Sequence, residues 1–428
     1  MPQNIFVLGL DDLNLRMLRE IPRLEQYRFH GLLTIDELQQ GDIDFAGLLE
    51  RARERLDAFE GEVDAIIGFW DFPITSMVPI LCARYGLPGP SLESIVKCEH
   101  KYWSRIEQRE VIEEYPPFGL VDLSPEGRAE PPPGVRYPMW LKPVKSTSSE
   151  LAFLARDDVE FDRAVEDIRA GIGRIGEPFQ EVMNHLELPP EIAEIGGVAC
   201  LAEESIDGAQ VTVEGYSHEG EVHVYGIVDS VDYPDMPSFQ RYQYPSSVPG
   251  DVAERMTDIS VRVIRRLGLD STTFNIEYFW KRDDGSITLL EVNPRHSQSH
   301  APLFEYVDGA PNHEFMVRLA LGHRPELPKG AGQYDIAAKW FVRHREDALV
   351  RRVPSEAEIK AVERDVPGTI VEISVDAGQR LSDISMQDSY SYEVARVFMG
   401  ARDEAELKAK YERAVAGLPF EFEPPKGT

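Results

Sequence analysis

Buried strands and amphipathic helices alternate in the pattern of hydrophobic positions that opens the chain. Residues 4–10 form an apolar run typical of a buried strand, and Asp11 follows it as the cap of a predicted helix that reaches Ile21. Residues 63–69 form a second apolar run, which leads into an apolar helix that ends near Arg84. Alternating units of this kind predict a parallel sheet with helices on both faces, the α/β class of fold.

A charged helix, a proline-rich linker and a new strand come next. The helix is predicted over about residues 94–114, and the linker extends to Gly134. A short apolar strand then carries Lys142 into the hydroxyl-rich stretch 146–149. Such a loop can direct backbone N–H groups and hydroxyls toward a phosphate, with the lysine as a point charge. An ordinary exposed turn is the alternative interpretation of the same residues.

Two acidic residues end the following strand. Glu203 and Glu204 stand at that end, Gly208 marks a kink, and another strand follows the kink. A strand over residues 221–230 and an amphipathic helix over 248–267 complete this part of the chain. Taken alone, the acidic pair also fits a solvated strand edge.

A hairpin near residue 284 carries the most informative polar pattern. Side chains alternate along a strand, so Glu291, Asn293 and Arg295 point to one face. Glu277 and Glu291 each lie seven residues from Asp284 in the intervening turn, which predicts that they are cross-strand neighbours. Two like charges in that position call for a cation, and two carboxylates with an amide suit Mg²⁺. A solvated face with its charges out of register is the alternative.

Charge and composition limit the classes of function. The formal net charge of −30 argues against binding of nucleic acid and of an anionic membrane surface. A lone glycine, Gly9, follows the first strand, far short of a dinucleotide-binding G-x-G-x-x-G sequence. Four of the few lysines gather in one stretch, namely Lys97, Lys101, Lys142 and Lys145.

Cysteine usage and hydropathy indicate a cytoplasmic protein. The three cysteines lie far apart with no C-x-x-C spacing, so neither a disulfide framework nor a zinc ribbon is indicated. We find no cationic and apolar leader and no apolar run long enough for a membrane span.

The order and spacing of these residues resemble the ATP-grasp superfamily, in particular carboxylate–amine ligases with a biotin-carboxylase-like architecture. The resemblance covers about residues 4–325. It implies an α/β fold with a Rossmann-like N-terminal domain, a two-lobed ATP-grasp domain with a mobile lid, and a small C-terminal α+β domain. The expected boundaries are 1–95 for the first domain, 96–130 for a helical linker, 131–205 for the lid, 206–325 for the metal and substrate lobe, and 326–428 for the last domain.

The resemblance also implies roles for single residues. Lys101 and Lys142 would contact the phosphates, with Arg241 as a further phosphate-binding cation. Glu203 would meet the adenine amino group, with the backbone of Glu204 and Ile206 beside it. Gln210 stands where the family usually has a glutamate for the ribose. Glu277, Glu291 and Asn293 would hold the metal, and Arg295 would lie near the transferred phosphate.

Two histidines follow the hairpin at i and i+4. His296 and His300 lack the glutamate of an H-E-x-x-H motif and have no evident third metal ligand. A role in positioning substrate or accepting a proton is one interpretation, and plain structural hydrogen bonding is the other.

The resemblance implies an ATP-dependent ligase that joins a small carboxylate to an amine through an acyl phosphate and releases ADP. ATP and Mg²⁺ are the expected cofactors, with Mn²⁺ as a substitute, and amino acids are the expected substrates. A homodimer is the common arrangement. The alternatives are an enzyme that activates bicarbonate, as biotin carboxylase does, and a non-catalytic ATP-binding sensor.

Overall fold

The computed structural model describes residues 2–124, 128–146, 150–326, 328–384 and 390–424. In that part of the chain, every helix is too short or too polar to cross a membrane.

The chain begins with a three-stranded parallel sheet. Its elements are β1 (Gln3–Leu8), α1 (Asp12–Arg19), β2 (Tyr27–Leu32), α2 (Ile35–Gln39), α3 (Phe45–Asp57), β3 (Ala65–Gly68) and α4 (Ile74–Tyr85), and the strand order is β2-β1-β3. Asp11 caps α1 by accepting the Asn14 N–H at 2.8 Å. The predicted strand and helix alternation is therefore present, with a parallel register.

Two helices replace the single charged helix that the pattern predicts over 94–114. They are α5 (Leu92–Glu99) and α6 (Lys101–Arg109), and His100 separates them in an extended conformation. Its Nδ1 accepts the Trp103 N–H at 3.2 Å, so His100 caps α6. Its Nε2 lies 3.1 Å from the Gly196 carbonyl oxygen. The break is favourable because both ring nitrogens of a fully buried side chain find partners.

A four-stranded antiparallel sheet comes next. Its strands are β4 (Phe118–Val121), β5 (Met139–Pro143), β6 (Phe153–Ala155) and β7 (Cys200–Glu204), in the order β4-β7-β5-β6. The helices α7 (Asp158–Gly171), α8 (Gly173–Met183) and α9 (Pro190–Ile195) lie between β6 and β7 in the chain. Phe161, Val165 and Ile168 of α7 pack against Met139 and Leu141 of β5 in one buried cluster.

The remaining strands build an eight-stranded sheet with two small additions. The elements are β8 (Ala209–His218), β9 (Glu221–Tyr233), β10 (Met236–Tyr244), α10 (Gly250–Leu267), β11 (Thr272–Trp280), β12 (Ile287–Asn293), α11 (Ala301–Asp308), α12 (His313–Ala320), β13 (Ile336–His344), β14 (Leu349–Arg352), α13 (Glu356–Asp365), β15 (Thr369–Ile373), β16 (Tyr392–Ala401), α14 (Glu404–Ala416) and β17 (Glu421–Glu423). The order is β12-β11-β8-β9-β10-β13-β16-β15, while β14 and β17 pair separately.

One continuous sheet therefore includes strands from both sides of residue 326. The junction is the antiparallel pair of β10 and β13, where Arg241 faces Trp340 and Tyr242 faces Lys339. On one face α10 packs on the first strands of the sheet, and further along α14 packs on β13 and β16. On the opposite face α11 covers Ala337 and Phe398.

Candidate active site

A cavity of about 640 Å³ lies between the four-stranded and eight-stranded sheets, and most of the predicted site residues line it. Side chains from α6 and from the loops after β3 and β12 close its sides. The predicted residues at the cavity are Lys101, Lys142, Glu203, Glu204, Ile206, Gln210, Glu277, Glu291, Asn293, Arg295 and His300. The two others, Arg241 and His296, lie outside its lining.

The carboxylate pair of the hairpin lies in the predicted register. Glu277 on β11 pairs with Glu291 on β12, and Asn275 pairs with Asn293. Nearer the turn, however, Tyr278 pairs with Leu289, so Leu290 is an extra residue in β12. The strands therefore pair one residue out of the predicted register near the turn. Beyond this bulge, Glu291 lies opposite Glu277, as their equal distance from Asp284 predicts. Arg105 donates to the Leu290 carbonyl oxygen at 2.5 Å and holds the bulge against α6.

Burial and mutual repulsion both oppose ionisation of the pair. Burial, and then the neighbouring Glu291, raise the pKa of Glu277 to about 8. Gln210 donates to Glu277 at 2.7 Å, and the Asn293 amide nitrogen lies 3.5 Å from the other oxygen. These neutral donors offset only part of the repulsion between two facing carboxylates.

A divalent cation fits this donor set. Among the described residues, no group of three or more His, Cys, Asp or Glu side chains is placed to hold a metal by itself. Glu277, Glu291 and the Asn293 amide instead offer two carboxylates and one neutral oxygen. Mg²⁺ commonly takes one or two carboxylates and completes its shell with water and phosphate oxygens. The raised pKa of Glu277 is the observation that favours a cation at this position.

Lys101 faces the carboxylate pair from α6. Its Nζ lies 3.9 Å from Glu291 and donates to the Ser146 carbonyl oxygen at 3.1 Å. Burial lowers the pKa of Lys101 to about 8, against the opposing effect of Glu291. The predicted phosphate loop begins at Ser146, and its residues 147–149 lie outside the described part of the chain.

Lys142 and Glu203 form a buried ion pair with a third member that the sequence did not indicate. Glu203 accepts from Lys142 and from Arg105, each at 2.5 Å. Burial alone would raise the pKa of Glu203, but Arg105 and Lys142 hold it at about 2. Arg105 follows Lys101 at i+4 on one helix face, a spacing that could have revealed it.

Lys145, to which the sequence analysis gave no role beyond its place among four clustered lysines, also lines the cavity. It is buried between the rings of Phe72 and Phe179, with its Nζ 5.4 and 5.6 Å from their centroids. Glu99 accepts from it at 3.1 Å, and the Thr75 hydroxyl donates to the same carboxylate. The clustering of lysines in a lysine-poor chain was the available signal.

Arg295 is held by an aspartate of the first domain. Asp71 accepts from Arg295 through Nε at 2.8 Å and Nη2 at 2.6 Å. Burial opposes ionisation of this carboxyl, yet Arg295 and the two nearby lysines keep the pKa of Asp71 below its usual range. Asp71 follows β3, and the carboxyl ends of strands in open α/β sheets are where ligands bind, a rule that could have identified it.

Three residues that are predicted to contact the nucleotide line the cavity, namely Glu204, Ile206 and Gln210. Some of their polar groups already have hydrogen-bond partners within the protein. The Glu204 N–H donates to the Pro117 carbonyl oxygen at 3.0 Å, and its side chain pairs with Arg136 at 2.9 Å. The N–H and the carboxylate of Glu204 therefore already have partners, and Ile206 follows it in the cavity lining. Gln210 turns its amide nitrogen toward Glu277.

The two histidines occupy different environments. His296 is fully buried, its Nδ1 lies 3.1 Å from the Thr273 hydroxyl, and burial takes its pKa well below the usual value. This environment suits structural hydrogen bonding. His300 lines the cavity, and its Nδ1 lies 2.8 Å from Glu214, which also accepts the Ser297 N–H at 3.1 Å. Glu214, a further residue missed from the sequence, thus fixes the loop after β12.

Arg241 faces away from the cavity. A register shift between Phe239 and Arg241 in β10 leaves Phe239 and Tyr242 in the cavity lining. Arg241 instead lies over the Trp340 ring at 4.9 Å and pairs with Glu404 of α14 at 2.9 Å. The structure thus does not bring Arg241 to the phosphate site that the resemblance implies, because the register shift and side-chain alternation turn it toward α14.

A family model described as the ATP-grasp domain matches residues 135–301. The chain contains an ATP-grasp domain. The match spans β5 to β12 and includes the Lys142, Glu203 and hairpin residues of the cavity. The predicted superfamily and fold class are confirmed.

Sequence relatives of this chain carry little functional information. The uncharacterized protein y4rH of Sinorhizobium fredii is 25% identical over 378 residues, covering 82% of this chain and 71% of y4rH. The carbamoyl phosphate synthase large chain of Kineococcus radiotolerans is 40% identical over 76 residues. That match covers 18% of this chain and only 7% of the length of the relative.

Solved structures match this chain along nearly its whole length. The L-amino acid ligase of Bacillus licheniformis superposes with a TM-score of 0.72 at 14% identity, covering 98% of this chain and 99% of the ligase. A biotin carboxylase domain from Hydrogenobacter thermophilus 2-oxoglutarate carboxylase, solved with MgADP and bicarbonate, has a TM-score of 0.64 at 14% identity. It covers 99% of this chain and 91% of its own. At these identities the likeness concerns the fold.

Proposed function

We propose that this protein is an ATP-dependent ligase that activates a small carboxylate as an acyl phosphate and joins it to an amine, releasing ADP and phosphate. One observation carries the proposal. The facing carboxylates Glu277 and Glu291 share one cavity with the cations Lys101, Lys142 and Arg295. That pattern suits a polyphosphate held with a divalent cation, and the fold of an L-amino acid ligase supports the same class of reaction.

The cations of the cavity would act on the first half of the reaction. An oxygen of the substrate carboxylate attacks the γ-phosphorus, and the bond between that phosphorus and the ADP oxygen breaks. Lys101, Lys142 and Arg295 offset the negative charge that develops on the transferred group. Glu277, Glu291 and Asn293 would hold Mg²⁺, which supplies further neutralisation of phosphate charge when bound.

The loop after β12 would act on the second half. The amine nitrogen attacks the acyl carbon, phosphate leaves, and the nitrogen loses a proton. Glu214 accepts from His300 through Nδ1, which leaves Nε2 of a neutral imidazole as the proton acceptor. We assign that role to His300 and a structural one to His296. The proposed lid, residues 131–205, would exclude water so that the acyl phosphate is not hydrolysed.

The test is phosphate release from ATP and Mg²⁺ against paired carboxylates and amines, with mass spectrometry of each positive mixture. A product whose mass equals acid plus amine minus water supports the ligase. Release that needs bicarbonate and biotin instead identifies a bicarbonate-activating enzyme. ATP binding by calorimetry with no release in any mixture indicates the nucleotide sensor.

Glu291→Gln provides the matched test of the metal assignment. Loss of one anionic ligand is expected to lower the rate of phosphate release at least about 100-fold, since the cation and its phosphates lose their position. The change should leave the unfolding temperature unchanged or raised, because it removes one of two repelling charges. Glu254→Gln, an exposed position on α10, is the control and should keep full activity. Activity retained by Glu291→Gln would contradict the metal assignment.

A further inference from the structure

A buried lysine lies next to the cavity, with its ammonium group among aromatic rings. Lys339 of β13 is 6% exposed. Its Nζ lies 5.6, 4.8 and 5.8 Å from the ring centroids of Tyr242, Phe341 and Phe398. Among the residues that the structure describes, none accepts a hydrogen bond from Lys339 or lies within ion-pair distance of its Nζ.

This environment is costly for an ammonium group. Cation–π contacts recover only part of the solvation lost on burial. Burial lowers the pKa of Lys339 to about 7. The carboxylate of Glu393 is engaged elsewhere, since it pairs with Arg396 at 2.6 Å and accepts the Ser374 hydroxyl at 2.9 Å. A buried ammonium group beside a cavity, whose lost solvation is not fully replaced within the protein, is typical of a binding site for an anion.

The aromatic residues around Lys339 connect it to one end of the cavity. Tyr242 and Phe239 line the cavity, and their rings lie 5.0 and 6.5 Å from the ring of Phe341. The Tyr242 ring also contacts the ring of His300, with the centroids 5.1 Å apart. Lys339 therefore lies near His300, the residue assigned to the second half of the reaction, because the Tyr242 ring contacts both.

We propose that Lys339 binds a carboxylate that does not react, carried by one of the two substrates. The reacting carboxylate must lie beside Glu277, Glu291 and Arg295, so the anion at Lys339 is a different one. An amino acid that reacts through its amino group has such a carboxylate, and so does a dicarboxylic acid that reacts at one end. The ring faces around Lys339 would contact an apolar part of the same molecule. This inference deepens the proposed function and rests on it for calling the ligand a substrate.

The experiment measures ligand-induced stabilisation in the presence of MgADP. The probes are the L-amino acids, their carboxamides, small dicarboxylic acids and their monoamides. Lys339→Met removes the charge and keeps an unbranched side chain of similar length. Lys360→Met, at a lysine that is 75% exposed on α13, is the matched control.

We expect at least one acid to raise the unfolding temperature of the wild-type protein while its amide does not. Lys339→Met should weaken the affinity for that acid roughly 10- to 100-fold, the range for a hydrogen bond to a charged group, and Lys360→Met should not. Which series responds, amino acids or dicarboxylic acids, identifies the substrate that carries the anion. Without ligand, Lys339→Met should unfold at the same or a higher temperature than wild type, because an unpaired buried charge is gone.

Three results would overturn the inference: equal stabilisation by an acid and its amide, unchanged affinity in Lys339→Met, or no stabilisation by any acid. Turnover measurements distinguish a failure of this inference from a failure of the proposed function. An acid that binds through Lys339 but supports no phosphate release when paired with any carboxylate or amine would contradict the ligase and leave the anion site standing. For a pair that does react, Lys339→Met should raise KM for the anion-bearing substrate and leave KM for ATP unchanged.

Discussion

At the scale of single residues, paired charges dominate the candidate site. Glu203 is ionised between Arg105 and Lys142, and Asp71 is ionised beside Arg295. Glu277 differs, because its neighbour across the hairpin is another carboxylate. A group that burial and a like charge keep protonated near neutral pH ionises when a cation arrives, so metal binding at this hairpin should release a proton.

The pH dependence of stability tests this description of Glu277. Its pKa in the folded protein is about 8, above the ordinary value of 4.5. The folded state therefore binds the extra proton, and this contribution to stability is present below about pH 4.5 and is lost as the pH rises to about 8. One group can change the unfolding free energy by at most about 1.4 kcal/mol per pH unit.

We expect the stability of metal-free wild-type protein to fall relative to that of Glu277→Gln between pH 5 and pH 8, as measured by urea denaturation. Mg²⁺ with ADP should make the pH dependence of stability more alike in the two proteins, since the bound cation displaces the proton from Glu277. Parallel pH profiles for the two proteins without metal would show that Glu277 ionises normally.

At the scale of elements, two local irregularities shape the site. The bulge at Leu290 brings Glu291 opposite Glu277, and Arg105 holds it. The break at His100 starts α6, whose first turns carry Lys101 and Arg105 into the cavity. Hydrophobic periodicity indicated one long helix here, because a cap that uses a buried histidine leaves the apolar pattern nearly continuous.

Replacement of His100 should therefore affect stability and nucleotide binding together. His100→Ala removes the cap of α6 and the contact with Gly196, which predicts a loss of about 1–3 kcal/mol in the free energy of unfolding. The affinity for ATP should fall as well, because Lys101 begins the uncapped helix. His100→Asn keeps a side-chain acceptor for the Trp103 N–H and should lose less. Equal losses in the two variants, measured by urea denaturation and calorimetry, would exclude the capping role.

At the scale of the whole molecule, the site is assembled from parts that are distant in the chain. The first sheet supplies Asp71, the second supplies Lys142 and Glu203, and the third supplies the carboxylate hairpin. The Asp71–Arg295 pair joins the first of these parts to the third across 224 residues of sequence. Any change that separates the parts should lower both stability and ligand affinity.

Asp71→Asn tests this connection. The variant leaves Arg295 largely buried without its anion, which predicts a loss of about 1–3 kcal/mol in unfolding free energy, less than for a fully buried pair because both side chains keep some exposure. MgATP should raise the unfolding temperature of Asp71→Asn more than that of wild type, since a phosphate supplies the missing anion. Asp283→Asn in the exposed hairpin turn is the control. Equal stabilisation of both variants by MgATP would place Arg295 away from the phosphates.

The sequence by itself determined the alternation of strands and helices at the start, the hairpin with its facing carboxylates, and the superfamily. The first two depend on periodicity and local spacing, which a chain displays without folding, and the superfamily rests on the resemblance of its motifs to those of a known family. Only the tertiary structure decided the partners: Arg105 for Glu203, Asp71 for Arg295, Glu214 for His300, and the turn of Arg241 toward α14. Each depends on a helix break, a register shift or the approach of remote segments. Lys339 shows the same limit, because its environment exists only once β10 and β16 bring Tyr242 and Phe398 beside it.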